Sequence, residues 1–471
     1  MRTITKSLLC VLCTLMGITA NAGDYRVTDF GAKADGITLN TNIIQHAIDH
    51  VSSHGGGNLV FTPGRYLTGT IYLKSDVTLT LENGAELLGS TNPWDYDKSP
   101  VVNWQSLIFA FGQKNIAIRG KGTINGQGAQ TAYNQVDIIN RGLYDDALRN
   151  GRPYEGNRPQ NIYFRECDNV VVEGITVASK SYWNNDGIDV VDCDGVVIRH
   201  CTIDAADDVF CFKSHSADHI CQNVVVEDCV GRSSANGLKF GTVSRGGFRN
   251  FKVKNLTIYN TYRSAITFAT VDGGIIDNIE VDGVRSINTG NVIFLRTGER
   301  WNKGKRPSMS NITIRNVYAE IPSFKPDAGY SYEGPVEDMP RNISPASIVG
   351  IPTCKIKNVT LQNIEIVTPG GGNPLFAYRG TTAKDLDSIP EMIKSYPEFS
   401  QFKELPAWGF YLRHAENVTF DNIVFRALKH DYRPAIVADD VKGLTLKDMQ
   451  YIEPDSKGKV QEVLYHSTRN K

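Results

Sequence analysis

After its first two dozen residues the chain has no apolar run near the roughly 18 residues that a membrane-spanning helix needs, so nothing downstream would hold it in a bilayer. An excess of either charge is also missing: 50 Lys and Arg face 51 Asp and Glu, a formal net charge of −1. That balance leaves no global field to draw the protein to nucleic acid or an anionic lipid surface. An anionic substrate would have to be held by local cations. Helical periodicity is scarce as well, with almost no segment leaving room for a ten-residue amphipathic helix between turn residues. Paired cysteine is lacking by count. Cys10 and Cys13 lie in the leading apolar segment, which leaves Cys167, Cys193, Cys201, Cys211, Cys221, Cys229 and Cys354. Seven cannot all pair, and they show no C-x-x-C spacing, which argues against a disulfide framework and a metal site. No metal and no cofactor is expected.

The first 22 residues read as a secretory signal peptide: Arg2 and Lys6 precede an apolar core from Leu8 to Ile18, followed by the small-residue site Ala20-Asn21-Ala22. The expectation is an exported protein, periplasmic or extracellular, with residues 23–471 as one domain, monomeric and free of the membrane.

What the chain has in abundance is a short repeat, Asn or Gly followed by alternating apolar and polar residues. It starts at Asn115, Asn169, Gly195, Asn223, Asn250 and Asn278, and again at Asn311, Asn358, Asn417 and Gly443. From Asn169 to Asn278 successive starts are 26, 28, 27 and 28 residues apart, a period of solenoids and arrays. The units carry short period-2 runs such as Val224 to Val226 and are too brief for a propeller blade of about 40 residues. An all-β, right-handed parallel β-helix remains, with Asn amides stacking from coil to coil at one corner. Asn40 to Ser53 has helical apolar spacing and is expected to cap the N-terminal end. Tyr318 to Pro345 and Pro369 to Ala407 read as long loops, which in compact proteins tend to be functional or disordered.

Aligning three coils on their inward residues stacks Ile188, Phe210 and Leu238, and turns Asp189, Cys211 and Lys239 outward. Asp186, Asp208 and Asn236 then form a column at one corner, about 4.8 Å apart per rung, with Asp207 adjoining. Three carboxylates within two rungs repel one another and raise at least one pKa. An ordinary turn has no reason to carry that cost. Lys213 and Lys239 lie on the adjacent face.

These residues resemble glycoside hydrolase family 28, the polygalacturonases and rhamnogalacturonan hydrolases, and the likeness covers nearly the whole mature chain, from Val27-Thr28-Asp29-Phe30-Gly31-Ala32 onward. Its specific part lies between Asn184 and Thr242: Asn184-Asn185-Asp186-Gly187-Ile188-Asp189 is similar to the family's Asn-Thr-Asp-Gly-Ile-Asp, and Ala206-Asp207-Asp208 with Lys213-Ser214 to its Gly-Asp-Asp motif ending in Lys-Ser. The resemblance implies a pectin-lyase-like solenoid and an inverting hydrolase of pectic polysaccharide, with Asp207 as general acid and Asp186 and Asp208 activating water. Substrate contacts are expected from Asn184, Lys213, Asn236 and Lys239. Two motifs depart from the family. Its Gly-His-Gly segment reads Ala235-Asn236-Gly237, and its Arg-x-Lys, which should fall near Ala265 to Thr270, is absent, leaving Ile266 and Phe268 on the expected wall. Rhamnogalacturonan-acting members similarly lack the histidine, which shifts the expected substrate toward rhamnogalacturonan fragments. Arg263, Arg296 and Arg300 are candidates for a substitute grip, with Trp301 as a sugar platform. A calcium-dependent pectate lyase and a non-catalytic carbohydrate-binding solenoid are the competing readings.

Overall fold

The computed structural model describes residues 23–99, 101, 103–149, 151–178, 185–302, 304–324, 345–375 and 378–470. The expected signal segment, Asn184 and residues 325–344 of the first long loop lie outside them.

The described strands join one 26-stranded sheet, and strand neighbours run parallel with a register fixed by the repeat. One inward ladder climbs from Ile116 through Val170, Val196, Val224, Phe251 and Ile279. It continues through Ile312, Val359 and Val418 to Leu444. Every member is buried. Burying such a side chain stabilises by about 1.5–3 kcal/mol, and a one-residue slip would turn the whole set outward. That is why the period holds the register so firmly.

The expected Asn corner is present. Asn115, Asn169, Asn223, Asn250 and Asn278 all adopt left-handed backbone, φ between 56° and 57°, a conformation Asn tolerates better than other residues with a Cβ. Asn250 Nδ2 donates to Asn223 Oδ1 at 3.0 Å and Asn278 Nδ2 to Asn250 Oδ1 at 2.8 Å. A second ladder runs at another corner, Asn363 to Asn316 at 3.1 Å and Asn422 to Asn363 at 3.0 Å. All seven described cysteines are buried and free; Cys193, Cys201 and Cys229 pack into the main core, as small apolar side chains do.

Helix Thr41–Ser53 caps the N-terminal end by burying Ile44, Ala47, Ile48 and Val51. A second helix, Gly128–Asn140, was not expected, because the face it buries is largely small or polar: Gly128, Thr131, Ala132, Gln135 and Ile139. The second long segment begins after strand Ile356–Gly370 and runs to strand Phe410–Lys429. It carries a short helix, Ala383–Asp387, started by a capping box between Thr382 and Asp385. Leu386, Ile389, Phe399, Phe402 and Leu405 from this segment pack on Phe294, Val349 and Tyr411 of the coils. It is glued to the outward face of the sheet and does not trail into solvent. Among the described residues no helix is long and apolar enough to cross a membrane.

Candidate active site

Strands Ile188–Val191, Phe210–Ser214 and Leu238–Ser244 stack with Ile188, Phe210, Leu238 and then Ile266 in register inside, and Asp189, Cys211, Lys239 and Thr267 in register outside. Just before these strands the chain builds a column in which each side chain accepts the backbone amide of the next rung. Gln160 Oε1 accepts from Asp186 N at 2.9 Å, Asp186 Oδ1 from Asp208 N at 2.9 Å, and Asp208 Oδ1 from Asn236 N at 2.9 Å. Asn236 Oδ1 accepts from Ser264 N at 3.1 Å. The expected Asp186–Asp208–Asn236 column is therefore a continuous chain of side-chain caps that orients both carboxylates. Asn236 Nδ2 also donates to Asp208 Oδ1 at 2.8 Å.

Asp207 sits beside this column on a backbone pinned from both sides. Its amide donates to Asn185 O at 3.1 Å, and its carbonyl accepts from the Ser233 hydroxyl. Its side chain is half-buried. Burial first, and then the charges of Asp208 and Asp186, push its carboxyl well above the usual range, while Arg263 and Lys213 pull the other way.

Lys213 occupies the floor. Its Nζ donates to Asp186 Oδ2 at 2.6 Å and to Asp189 Oδ1. Burial raises the Asp186 carboxyl, with Asp189 adding to it and Lys213 opposing. Burial alone would lower the ammonium, yet Asp186 and Asp189 outweigh it and raise Lys213 above its ordinary value. Asp186, Asp208 and Cys211 bring donor atoms within 4.8 Å of one another. A cation already holds the Asp186 side, and burial pushes the Cys211 thiol well up, against a thiolate ligand.

The wall next to Asp207 differs from expectation. Ile266 and Phe268 face the core and are fully buried; the residue turned to the site is Thr267, whose hydroxyl donates to Asn236 Oδ1 at 3.0 Å. The stretch Ala265 to Thr270 itself carries no basic residue. Lys239 is 1% exposed and donates to Glu398 Oε1 at 2.5 Å. Arg263 Nη1 reaches the same oxygen at 3.2 Å, and Asn236 Nδ2 at 3.3 Å.

Arg296 corrects its expected role as a grip. It is 2% exposed and donates to four carbonyls, Val349 at 3.4 Å, Gly350 at 3.2 Å, Glu391 at 2.7 Å and Met392 at 2.8 Å. It ties the long segment to the coils. Arg300 is paired with Asp272 at 2.8 Å and lies 3.7 Å over the half-exposed face of Trp301. Sequence reading missed Glu398 and Tyr396, whose ring covers Lys239 at 5.8 Å and whose hydroxyl accepts from Thr242 Oγ1 at 2.8 Å.

The fold and the site together are a parallel β-helix with a capped acid column on its outward sheet. A model of glycosyl hydrolases family 28 matches residues 57–321, more than half of the chain, and the protein belongs to that family. A model described as rhamnogalacturonase A/epimerase, pectate lyase-like, matches residues 25–88. Among curated relatives, a probable polygalacturonase of Vitis vinifera is 26% identical over 60% of this chain and 58% of its own length. An exo-poly-alpha-D-galacturonosidase of Dickeya chrysanthemi is 24% identical over 76% of this chain and 65% of its own. The chain thus spans about three fifths of these two relatives. The family 28 exopolygalacturonase of Yersinia enterocolitica shares the fold, with a TM-score of 0.58, 19% identity, 95% of this chain and 78% of that one covered.

Proposed function

We propose that the protein is an exported, inverting glycoside hydrolase of pectic polysaccharide. Asp207 donates a proton to the glycosidic oxygen, and Asp186 and Asp208 take one from the water that attacks the opposite face of the sugar. The observation that carries this reading is the capped column itself. It fixes two carboxylates by backbone amides and leaves beside them a third, half-exposed one, whose burial and anionic neighbours favour the protonated form. Acid–base cleavage requires a proton donor beside a group that takes the proton of the attacking water.

Family membership and relatives named as polygalacturonases support a pectic substrate. The absence of a base along Ala265 to Thr270, with Thr267 turned to the site, favours rhamnogalacturonan-type fragments over plain galacturonan. Lys213, Asn236 and Lys239 shape the wall and floor, and Arg263 reaches the rim. Asn184 enters on its place in the Asn-Asn-Asp motif. A calcium-dependent eliminase is less favoured, because the Lys213 ammonium already compensates the carboxylates that a calcium ion would use. The test is incubation with a panel of pectic fragments. Hydrolysis releases saturated sugars without ultraviolet absorbance, whereas unsaturated products would overturn the proposal. Faster turnover of plain oligogalacturonides than of rhamnogalacturonan fragments would overturn the substrate assignment alone.

A further inference from the structure

We infer that Glu398 is a built-in carboxylate standing where a substrate uronate would otherwise be gripped, so that the wall beside Asp207 selects an uncharged sugar. This rests on the hydrolase reading above and names the sugar class that its leaving-group wall admits.

Three donors converge on one oxygen of Glu398: Lys239 Nζ at 2.5 Å, Arg263 Nη1 at 3.2 Å and Asn236 Nδ2 at 3.3 Å. Asn236 bonds Asp208 with the same amide nitrogen, and Arg263 is among the charges that act on Asp207. The trapped carboxylate therefore lies one side chain away from the acid–base cluster. It remains charged although only 2% exposed: burial works against ionisation, and Arg263 and Lys239 outweigh it, leaving Glu398 below the ordinary range. Two cations of opposite sign to a uronate are thus spent on an internal anion. An incoming carboxylate would meet a like charge within a few ångströms and would have to evict Glu398 to reach Lys239.

Eviction is opposed by how the segment is held. Phe399 and Phe402 are buried in the side cluster on the coils, Tyr396 is tied to Thr242, and Arg296 and Arg413 clamp the carbonyls of Glu391, Met392 and Ile389. Among the described residues the second oxygen, Oε2, is buried without a hydrogen-bond partner. A fixed negative charge beside paired cations is a device that raises specificity by penalising the wrong ligand.

The test uses the full mature chain. Wild type and Glu398→Gln are compared in kcat/KM on two oligosaccharides of equal length, one with rhamnose and one with galacturonate on the leaving-group side. In the Asp207→Asn background, trigalacturonate binding is measured directly with and without Glu398→Gln. Freeing the two cations is expected to shift the kcat/KM ratio about tenfold toward the uronate and to tighten trigalacturonate binding by about as much. An equal fall on both substrates with unchanged binding would overturn the inference. Glu398→Asp, which keeps the charge, should hold the wild-type ratio; a tenfold shift toward the uronate in that variant would also overturn it, whether or not the Gln variant folds. If wild type cleaves neither substrate, the hydrolase reading fails, while the binding arm still reports on Glu398.

Discussion

Lys213 Nζ lies 2.6 Å from Asp186 Oδ2 and also bonds Asp189, so one buried ammonium serves two buried carboxylates. The first prediction follows from that sharing. Lys213 opposes the burial that raises Asp186, so Lys213→Met should raise the Asp186 carboxyl further. The acidic limb of the kcat/KM profile, where the base becomes protonated, should then move to higher pH. Stability should respond in a definite sense too. Carboxylates raised in the fold are protonated more readily there than in the unfolded chain, so the variant should lose stability as pH rises from the ordinary carboxylate range toward neutrality. Leaving a buried charge uncompensated costs about 3–5 kcal/mol. Urea unfolding and pH–rate profiles check both; an unmoved acidic limb removes Lys213 from control of the base.

Asp207→Asn keeps the size of the side chain and the backbone bonds to Asn185 and Ser233. It removes the proton donor. The expected result is a fall in kcat of about 10²–10⁴-fold, the usual contribution of general acid catalysis, with substrate binding and unfolding midpoint close to wild type. Activity within tenfold of wild type would move the acid elsewhere.

Stereochemistry gives an independent reading of the same cluster. If Asp186 and Asp208 deliver water from the face opposite Asp207, the first-formed reducing end has inverted configuration. Early proton NMR spectra of a digest show it before mutarotation. Retention would dissolve the division of labour among the three aspartates.

How much of this could be read from the chain depends on where the repeat extends. The 26- to 28-residue spacing sets the inward ladder and the Asn corner, and the same alignment placed Asp186, Asp208 and Asn236 in one column because each precedes a strand of known parity. That parity also required Ile266 and Phe268 to face inward, since they pair with Leu238 and Phe240; assigning them to the wall broke the period-2 rule that had located the column. Glu398 lies 159 residues from Lys239, in a segment without repeat. No local pattern connects the two. Helix Gly128–Asn140 stayed hidden for a related reason: a buried face made of Gly, Thr, Ala and Gln leaves little hydrophobic period to detect.

Arg296 separates a grip from an anchor. Its guanidinium makes four hydrogen bonds to carbonyls, two on the coil residues Val349 and Gly350 and two on Glu391 and Met392 of the long segment, and it faces the Phe402 ring at 5.1 Å. Hydrogen bonds to charged groups are worth about 1.5–3 kcal/mol each, and buried carbonyls left without a donor add their own penalty. Arg296→Ala should therefore lower the unfolding free energy by about 3 kcal/mol and loosen the segment that carries Glu398. Amide exchange should accelerate across Ala383–Asp387 and Phe399–Phe402 while the strands on either side of the acid column stay protected. A grip on substrate predicts something different: a raised KM with exchange in those two stretches unchanged. That second pattern would return Arg296 to the substrate wall. The first, accompanied by lost discrimination between rhamnose and galacturonate, would tie the anchor to the position of Glu398.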